Sequence, residues 1–140
     1  MRVVIDTTVW SLALRRREGD LSRGEADTVF AFRELLADGR GILLGPVRQE
    51  LLQGIRKKDQ FEGVRRDLEE LPDEPMWARD HVRAAQMFNQ CRARGVQPTS
   101  IDMLLCAAAE RLKAALFTLD KDFLGYARVV GIRLLEPELH

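Results

Sequence analysis

Four acidic residues stand where short apolar runs give way to polar sequence. Asp6 follows Val3-Val4-Ile5, Glu50 lies beyond Ile42-Leu43-Leu44, Asp102 closes Thr99-Ser100-Ile101-Asp102, and Asp120 follows Ala115-Leu116-Phe117-Thr118-Leu119. A fold that ends its strands in carboxylates, and gathers those ends in one crevice, builds an oxygen-rich site suited to Mg²⁺ or Mn²⁺. Divalent cations held by clustered carboxylates are a common means of hydrolysing a phosphodiester bond. Each Asp also has a plainer explanation. Near a helix start an aspartate accepts orphan N–H groups and complements the helix dipole, worth about 1 kcal/mol. Glu50 lies about a turn into its helix, past the capping positions, and is harder to explain in that way. Four carboxylates in one crevice repel one another unless cations neutralise them, which raises the pKa of at least one.

The rest of the composition narrows the chemistry. The chain has 140 residues, 46% hydrophobic and 31% charged, which fits one globular domain over residues 1–140. No apolar run nears the roughly 20 residues of a membrane span. Met-Arg-Val-Val-Ile-Asp at the start lacks a signal peptide's apolar stretch, so a cytoplasmic location is expected. Cys91 and Cys106 are far apart and in helical patterns, which reads as two buried, reduced thiols. His81 and His140 are the only histidines, leaving little for a His-based catalytic triad. Net charge is zero, yet arginines cluster, above all at Arg15-Arg16-Arg17. Two readings of that cluster stand side by side: bidentate contacts to phosphate groups, or cations favoured at a helix C-terminus.

Positioning these residues requires strands and helices in alternation. Residues 2–5, 41–44, 115–119 and 132–135 read as strands, short, apolar and partly β-branched. Thr7 or Thr8 is suited to cap a helix over about 8–17. After a loop at 19–24, Ser22 or Gly24 opens a helix to about 37, stopped at Asp38-Gly39. Pro46 fits the first turn of a helix running to about 58, with a break foreseen at Gly54. Further helices are expected over 59–71, 79–94 and 101–113, the last capped by Ser100, and from Asp120 or Asp122 to about Tyr126. The alternation predicts an α/β fold with a mostly parallel sheet, its ligand site beyond the carboxyl ends of the strands.

At this level of detail the chain resembles PIN-domain ribonucleases of the VapC type, the toxins of VapBC toxin–antitoxin modules. Val4-Ile5-Asp6-Thr7-Thr8-Val9-Trp10 is similar to that family's opening, and Glu50-Leu51-Leu52-Gln53-Gly54 to its second motif. Asp102 with the Ala-rich run to Ala109, and Thr118-Leu119-Asp120-Lys121-Asp122-Phe123, resemble the third and fourth. The turn Gly45-Pro46-Val47 departs from the pattern, since relatives often carry a hydroxyl residue there.

The resemblance implies a three-layer α/β/α sandwich with four or five mostly parallel strands. It implies a Mg²⁺- or Mn²⁺-dependent endoribonuclease acting on RNA, transfer RNA included, and a toxin role in a type II toxin–antitoxin system. Asp6, Glu50, Asp102 and Asp120 become its catalytic and metal-holding quartet. Thr7, Thr118 and Asp122 become accessory residues, Asp122 having helix capping as its other reading. Water would attack phosphorus, leaving 5′-phosphate and 3′-hydroxyl ends. The implied partners are a small antitoxin and a second copy of the chain. Apolar residues in 47–55 and 82–88 suggest a homodimer face, and Trp10 is either an antitoxin anchor or a core residue. Two other readings are a PIN module that only binds RNA or a partner, and a PIN nuclease outside toxin–antitoxin systems. Haloacid-dehalogenase-like phosphotransfer is disfavoured because Thr8 stands where a second Asp is needed, and a receiver-like site because Asp6 has no acidic neighbour.

Overall fold

A computed structural model describes residues 1–15 and 18–136. In chain order these form β1 (Val3–Ile5), α1 (Thr7–Arg15), a 3-10 turn (Glu18–Asp20), α2 (Arg23–Ala37), β2 (Gly41–Ile42), α3 (Gly45–Gln53), α4 (Lys58–Glu69), α5 (Ala78–Ala93), α6 (Ser100–Leu112), β3 (Ala115–Phe117) and α7 (Asp122–Val130). Arg16 and Arg17 of the arginine cluster lie outside the described residues, as do residues 137–140.

The strands are parallel in the order β2-β1-β3, with Val4 opposite Ile42 on one side and Leu116 on the other. β1 is central and wholly buried, which explains its continuous Val-Val-Ile run. The chain moves one way from β1 to β2, then crosses back over β1 to β3. Right-handed crossovers in opposite directions place their helices on opposite faces of the sheet. α1 and α2 pack together on one face, while α6 lies against β1 and β3 with α5 along its outer side. The result is an α/β sandwich. The reversal between β1 and β3 is a topological switch point, where a crevice opens at the carboxyl ends of the strands.

Fewer strands form than four or five. Among the described residues the sheet has three, extended by single parallel bridges, Leu44 with Glu74 and Leu116 with Leu134. Pro75 follows Glu74 and has no N–H to continue a ladder. On the other edge the strand expected at 132–135 makes one rung, with Leu116 N–H to Arg133 O at 2.8 Å and Leu135 N–H to Leu116 O at 2.9 Å. Its template β3 stops at Phe117, because Thr118 and Leu119 turn away into the crevice.

Local signals account for most helix ends. Ser22 and Glu25 form a reciprocal capping box at the start of α2, and Gly39 beyond its end has φ +69°. Gly54 separates α3 from α4. α6 is capped by Thr99 rather than Ser100, its hydroxyl accepting the Asp102 N–H at 3.1 Å. The buried run Cys106–Ala109 gives α6 small side chains toward both neighbouring layers. Cys91 and Cys106 are buried free thiols, as expected. Trp10 is a core residue: its ring meets Phe32 edge-on at 4.8 Å and its indole N–H donates to Ile5 O at 3.2 Å. So deeply buried, it offers no surface for an interface anchor. Leu51, Ile55 and Met87 are also core, so they supply no apolar surface for a dimer. No described helix is long and apolar enough to cross a membrane.

The end of the sheet remote from the crevice is pinned by paired charges. Arg111 on α6 donates to buried Asp80 at 2.7 Å and to Pro75 O at 3.0 Å, while Asp80 also accepts the Trp77 N–H at 2.8 Å. The guanidinium lies 4.8 Å from the Trp77 ring centroid. These contacts hold residues 72–77 against α5 and α6. Burial pushes the Asp80 carboxyl upward, but the Arg111 hydrogen bond, the Trp77 N–H and the charges of Arg111 and Arg79 outweigh it and hold it below the usual range. A lowered folded value stabilises the fold above the unfolded value of about 3.9, and that contribution is lost as pH falls through the folded value. Arg111→Met should therefore cost about 3 kcal/mol in urea unfolding at neutral pH, since it strands a buried carboxylate. It should also weaken the loss of stability on acidification.

Candidate functional site

Asp6 continues β1 into the crevice. Its N–H still pairs with Phe117 O of β3 at 2.9 Å, while its own carbonyl accepts from Val9 and Trp10 and starts α1. The side chain is 5% exposed. Its Oδ2 accepts two hydroxyls, Thr8 at 2.8 Å and Thr118 at 2.7 Å. Those hydroxyls in turn accept backbone N–H groups, Leu119 on Thr8 and Asp120 on Thr118, both at 3.0 Å. Thr8 thus braces the acid and does not cap α1. Neither hydroxyl uses Asp6 Oδ1, and since no buried side-chain oxygen lacks a partner among the described residues, Oδ1 opens to solvent.

Glu50 sits half-buried on α3, which packs against α1. The Thr7 hydroxyl donates to its Oε1 at 2.8 Å.

Asp102 lies in the first turn of α6, where Thr99 holds its N–H. Its Oδ2 accepts the Tyr126 hydroxyl of α7 at 3.0 Å. Burial raises the Asp102 carboxyl above the usual carboxylate range; Tyr126 and Thr99 oppose the shift, and the charges of Asp6 and Asp120 add to it. That mutual repulsion brings three of the four acids into one field. Tyr126 is raised in turn, first by burial and then by its hydrogen bond to Asp102.

Asp120 accepts the Asp122 N–H on Oδ1 at 2.9 Å and so starts α7. The capping role falls to Asp120, while Asp122 is an exposed acid in the first helical turn. Arg15 ends α1, and eight rises of 1.5 Å put its backbone about 12 Å from Thr7. His81 is exposed on α5 and plays no part in the crevice.

The structure thus ties Asp6, Thr8, Thr118 and Asp120 into one hydrogen-bonded knot, sets Asp102 beside it, and holds Glu50 through Thr7. Among the described residues no three His, Cys, Asp or Glu side chains are gathered closely enough to hold one ion by themselves. Two participants were not foreseen. Thr8 reads from sequence as a helix cap, and Tyr126 as a helix end. The available signal for Tyr126 was its phenol in a helix of otherwise apolar buried residues, since a buried phenol needs a partner.

The chain matches the family described as PIN domain over residues 3–129. No curated protein sequence matches it. Among solved structures it shares the fold of FitAcB from Neisseria gonorrhoeae, with TM-score 0.71, 16% identity and coverage of 96% of this chain and 97% of that one. VapBC2 from Rickettsia felis, bound to a DNA fragment from their promoter, gives TM-score 0.75 and 20% identity over 96% and 98%. VapBC-1 from nontypeable Haemophilus influenzae gives 0.71 and 15% over 97% and 98%. At these identities the likeness is one of fold. The family match spans nearly the whole chain: this protein belongs to the PIN domain family.

Proposed function

We propose that this chain is a metal-dependent endoribonuclease and the toxin of a type II toxin–antitoxin pair, built as one nuclease domain. The observation that carries the nuclease reading is the electrostatic conflict at the switch point. Burial, with the charges of Asp6 and Asp120 adding to it, raises a half-buried Asp102 in a crevice where no described basic side chain bonds to any of the three. The donor set is all oxygen and fits Mg²⁺ or Mn²⁺. Mg²⁺ keeps several waters and is commonly held by one or two carboxylates, so it does not require a three-residue cage.

Asp6 and Asp102 would hold the ion through Oδ1, the oxygen each leaves free of a protein hydrogen bond. Glu50 and Asp120 would complete the charge and orient water. When bound, the cation would activate water for attack at phosphorus and offset charge on the leaving oxygen. Thr8 and Thr118 keep Asp6 from turning, and Thr7 does the same for Glu50. Arg15, Arg16 and Arg17 would bind flanking RNA phosphates.

The toxin role rests on the resemblance to VapC-type proteins, together with the fold shared with VapBC and FitAB complexes. A cleft of about 200 Å³ beside the acids, lined by Leu119, Leu124, Leu134 and Leu135, shares Thr118 and Asp120 with them. Leu119 and Leu124 are 46% and 50% exposed. An antitoxin placing apolar side chains there and a guanidinium among the carboxylates would match both surfaces. Self-association would use the groove between α5 and α6, where Phe88 and Leu104 are half-buried beside His81.

Asp6→Asn and Asp102→Asn should each lower RNA cleavage at least ~100-fold, as expected when a carboxylate ligand is lost. EDTA should stop the wild type and Mn²⁺ restore it, with 5′-phosphate ends on the products; a 2′,3′-cyclic phosphate would refute attack by water. The same charges make a stability prediction. Because the folded Asp102 value lies above the unfolded one, the metal-free protein loses stability as pH rises from about 4 through the folded value. In EDTA at pH 7, Asp102→Asn should therefore unfold at higher urea than the wild type. Co-expression with the neighbouring gene's product should relieve growth arrest by the wild type, and Leu124→Asp should weaken copurification of the pair. Free expression of the wild type alone, with no partner retained, would sink the toxin role.

A further inference from the structure

The half of the crevice formed by α6 and α7 contains a contact that burial alone does not require. Tyr126 is fully buried, and its ring meets Phe123 edge-on at 5.1 Å, which prevents it from swinging out. Its hydroxyl faces two acceptors, Gln97 O at 3.3 Å and Asp102 Oδ2 at 3.0 Å. A phenol has one proton to donate, and the ionised acceptor is the stronger. The Gln97 carbonyl would suffice to satisfy a buried phenol, so the carboxylate contact needs another reason.

We infer that Tyr126 is a positioning residue: its hydroxyl fixes the Asp102 carboxylate so that Oδ1 faces the crevice, as Thr8 and Thr118 do for Asp6. This rests on the reading of Asp102 as a cation-holding acid. An unrestrained carboxylate in the first turn of a helix rotates about its last bond, and holding it for a cation costs entropy at each binding event. A hydrogen bond to the other oxygen removes that cost in advance. Partners of this kind behind metal ligands are worth about 10–100-fold in affinity or activity. The constraint has its own support. Asp120 Oδ1 starts α7 by accepting the Asp122 N–H, and α7 carries Tyr126 a turn further on, so one acid of the crevice sets the residue that orients another.

Tyr126→Phe keeps the ring and removes only the hydroxyl. Mn²⁺ binding to the purified protein, followed by electron paramagnetic resonance of the free ion, should weaken about 10–100-fold. RNA cleavage should need correspondingly more Mn²⁺ for half-maximal rate, with the rate at saturating Mn²⁺ largely retained. Equal Mn²⁺ affinity in Tyr126→Phe and wild type overturns the inference and leaves the metal reading standing. No Mn²⁺ bound by the wild type, or undiminished binding by Asp102→Asn, overturns both. A second measurement holds even if Tyr126→Phe fails to fold. Tyr126 is the only tyrosine in the chain, so protein labelled with 3-fluorotyrosine gives one ¹⁹F resonance. Mg²⁺ should shift that resonance in the wild type and leave it in place in Asp102→Asn. A resonance unmoved by saturating Mg²⁺ in the wild type overturns the inference.

Discussion

Asp6 ends the central strand almost completely buried, and a carboxylate survives there only if its lost hydration is replaced. The hydroxyls of Thr8 and Thr118 replace it, one from the first turn of α1 and one from the exit of β3. The same two hydroxyls accept the N–H groups of Leu119 and Asp120, so the path of the chain after β3 is set by the acid after β1. The sheet's switch point is therefore held together by one of the acids proposed to hold a cation there. The short strands follow from this: β3 gives up its ladder at Phe117 because Thr118 is needed in the knot.

What can be read from the chain without coordinates is what local sequence controls. Strand ends followed by acids, the Ser22–Glu25 box, the Gly39 stop and the Gly54 break all act within a few residues and were recoverable from spacing. Trp10 was ambiguous because a large aromatic one turn into a helix suits either a core or an interface. Its partner Phe32 is a long-range contact that no pattern specifies. Thr8 was misread for a related reason. Two threonines at a helix start look like caps, but here the acid beside them competes successfully for their hydroxyls. Gln97, Asp102 and Tyr126 meet only because α7 folds back over the loop before α6, so the hydrogen bonds of Tyr126 lie beyond the reach of periodicity. The strand expected at 132–135 fails for a subtler reason: its residues have the right composition, but its neighbour β3 offers one rung, at Leu116.

Zero net charge hides a polarity along the sheet. At one end Arg2, Glu74, Asp80 and Arg111 neutralise one another, the best-buried pair being Arg111 with Asp80. At the other, Asp6, Asp102 and Asp120 face one another with hydroxyls and backbone N–H groups as their described partners. Buried ion pairs with full hydrogen bonding hold an element in place. A cluster of one sign does the reverse and stores a cost that a cation or a guanidinium relieves. Such a crevice repels the phosphates of its proposed substrate until that charge is offset. Affinity for the proposed RNA substrate would then depend on local arginines and on the proposed ion, with no need for an overall basic field.

Helix capping and cation binding first present themselves as competing explanations for each aspartate. The geometry removes the competition, because a carboxylate has two oxygens. Asp120 commits Oδ1 to the N–H of Asp122, Asp6 commits Oδ2 to two threonines, and Asp102 commits Oδ2 to Tyr126. In each case one oxygen is spent on fixing the side chain and the other has no hydrogen-bond partner among the described residues. A surface cap has no reason to be oriented by buried hydroxyls from remote parts of the chain, whereas an acid that must meet an ion does. Restraint of one oxygen thus supports the proposed cation-holding role more than the presence of the acid alone, and it is fullest at Asp6 and Asp102, whose restraining hydroxyls include ones from remote elements.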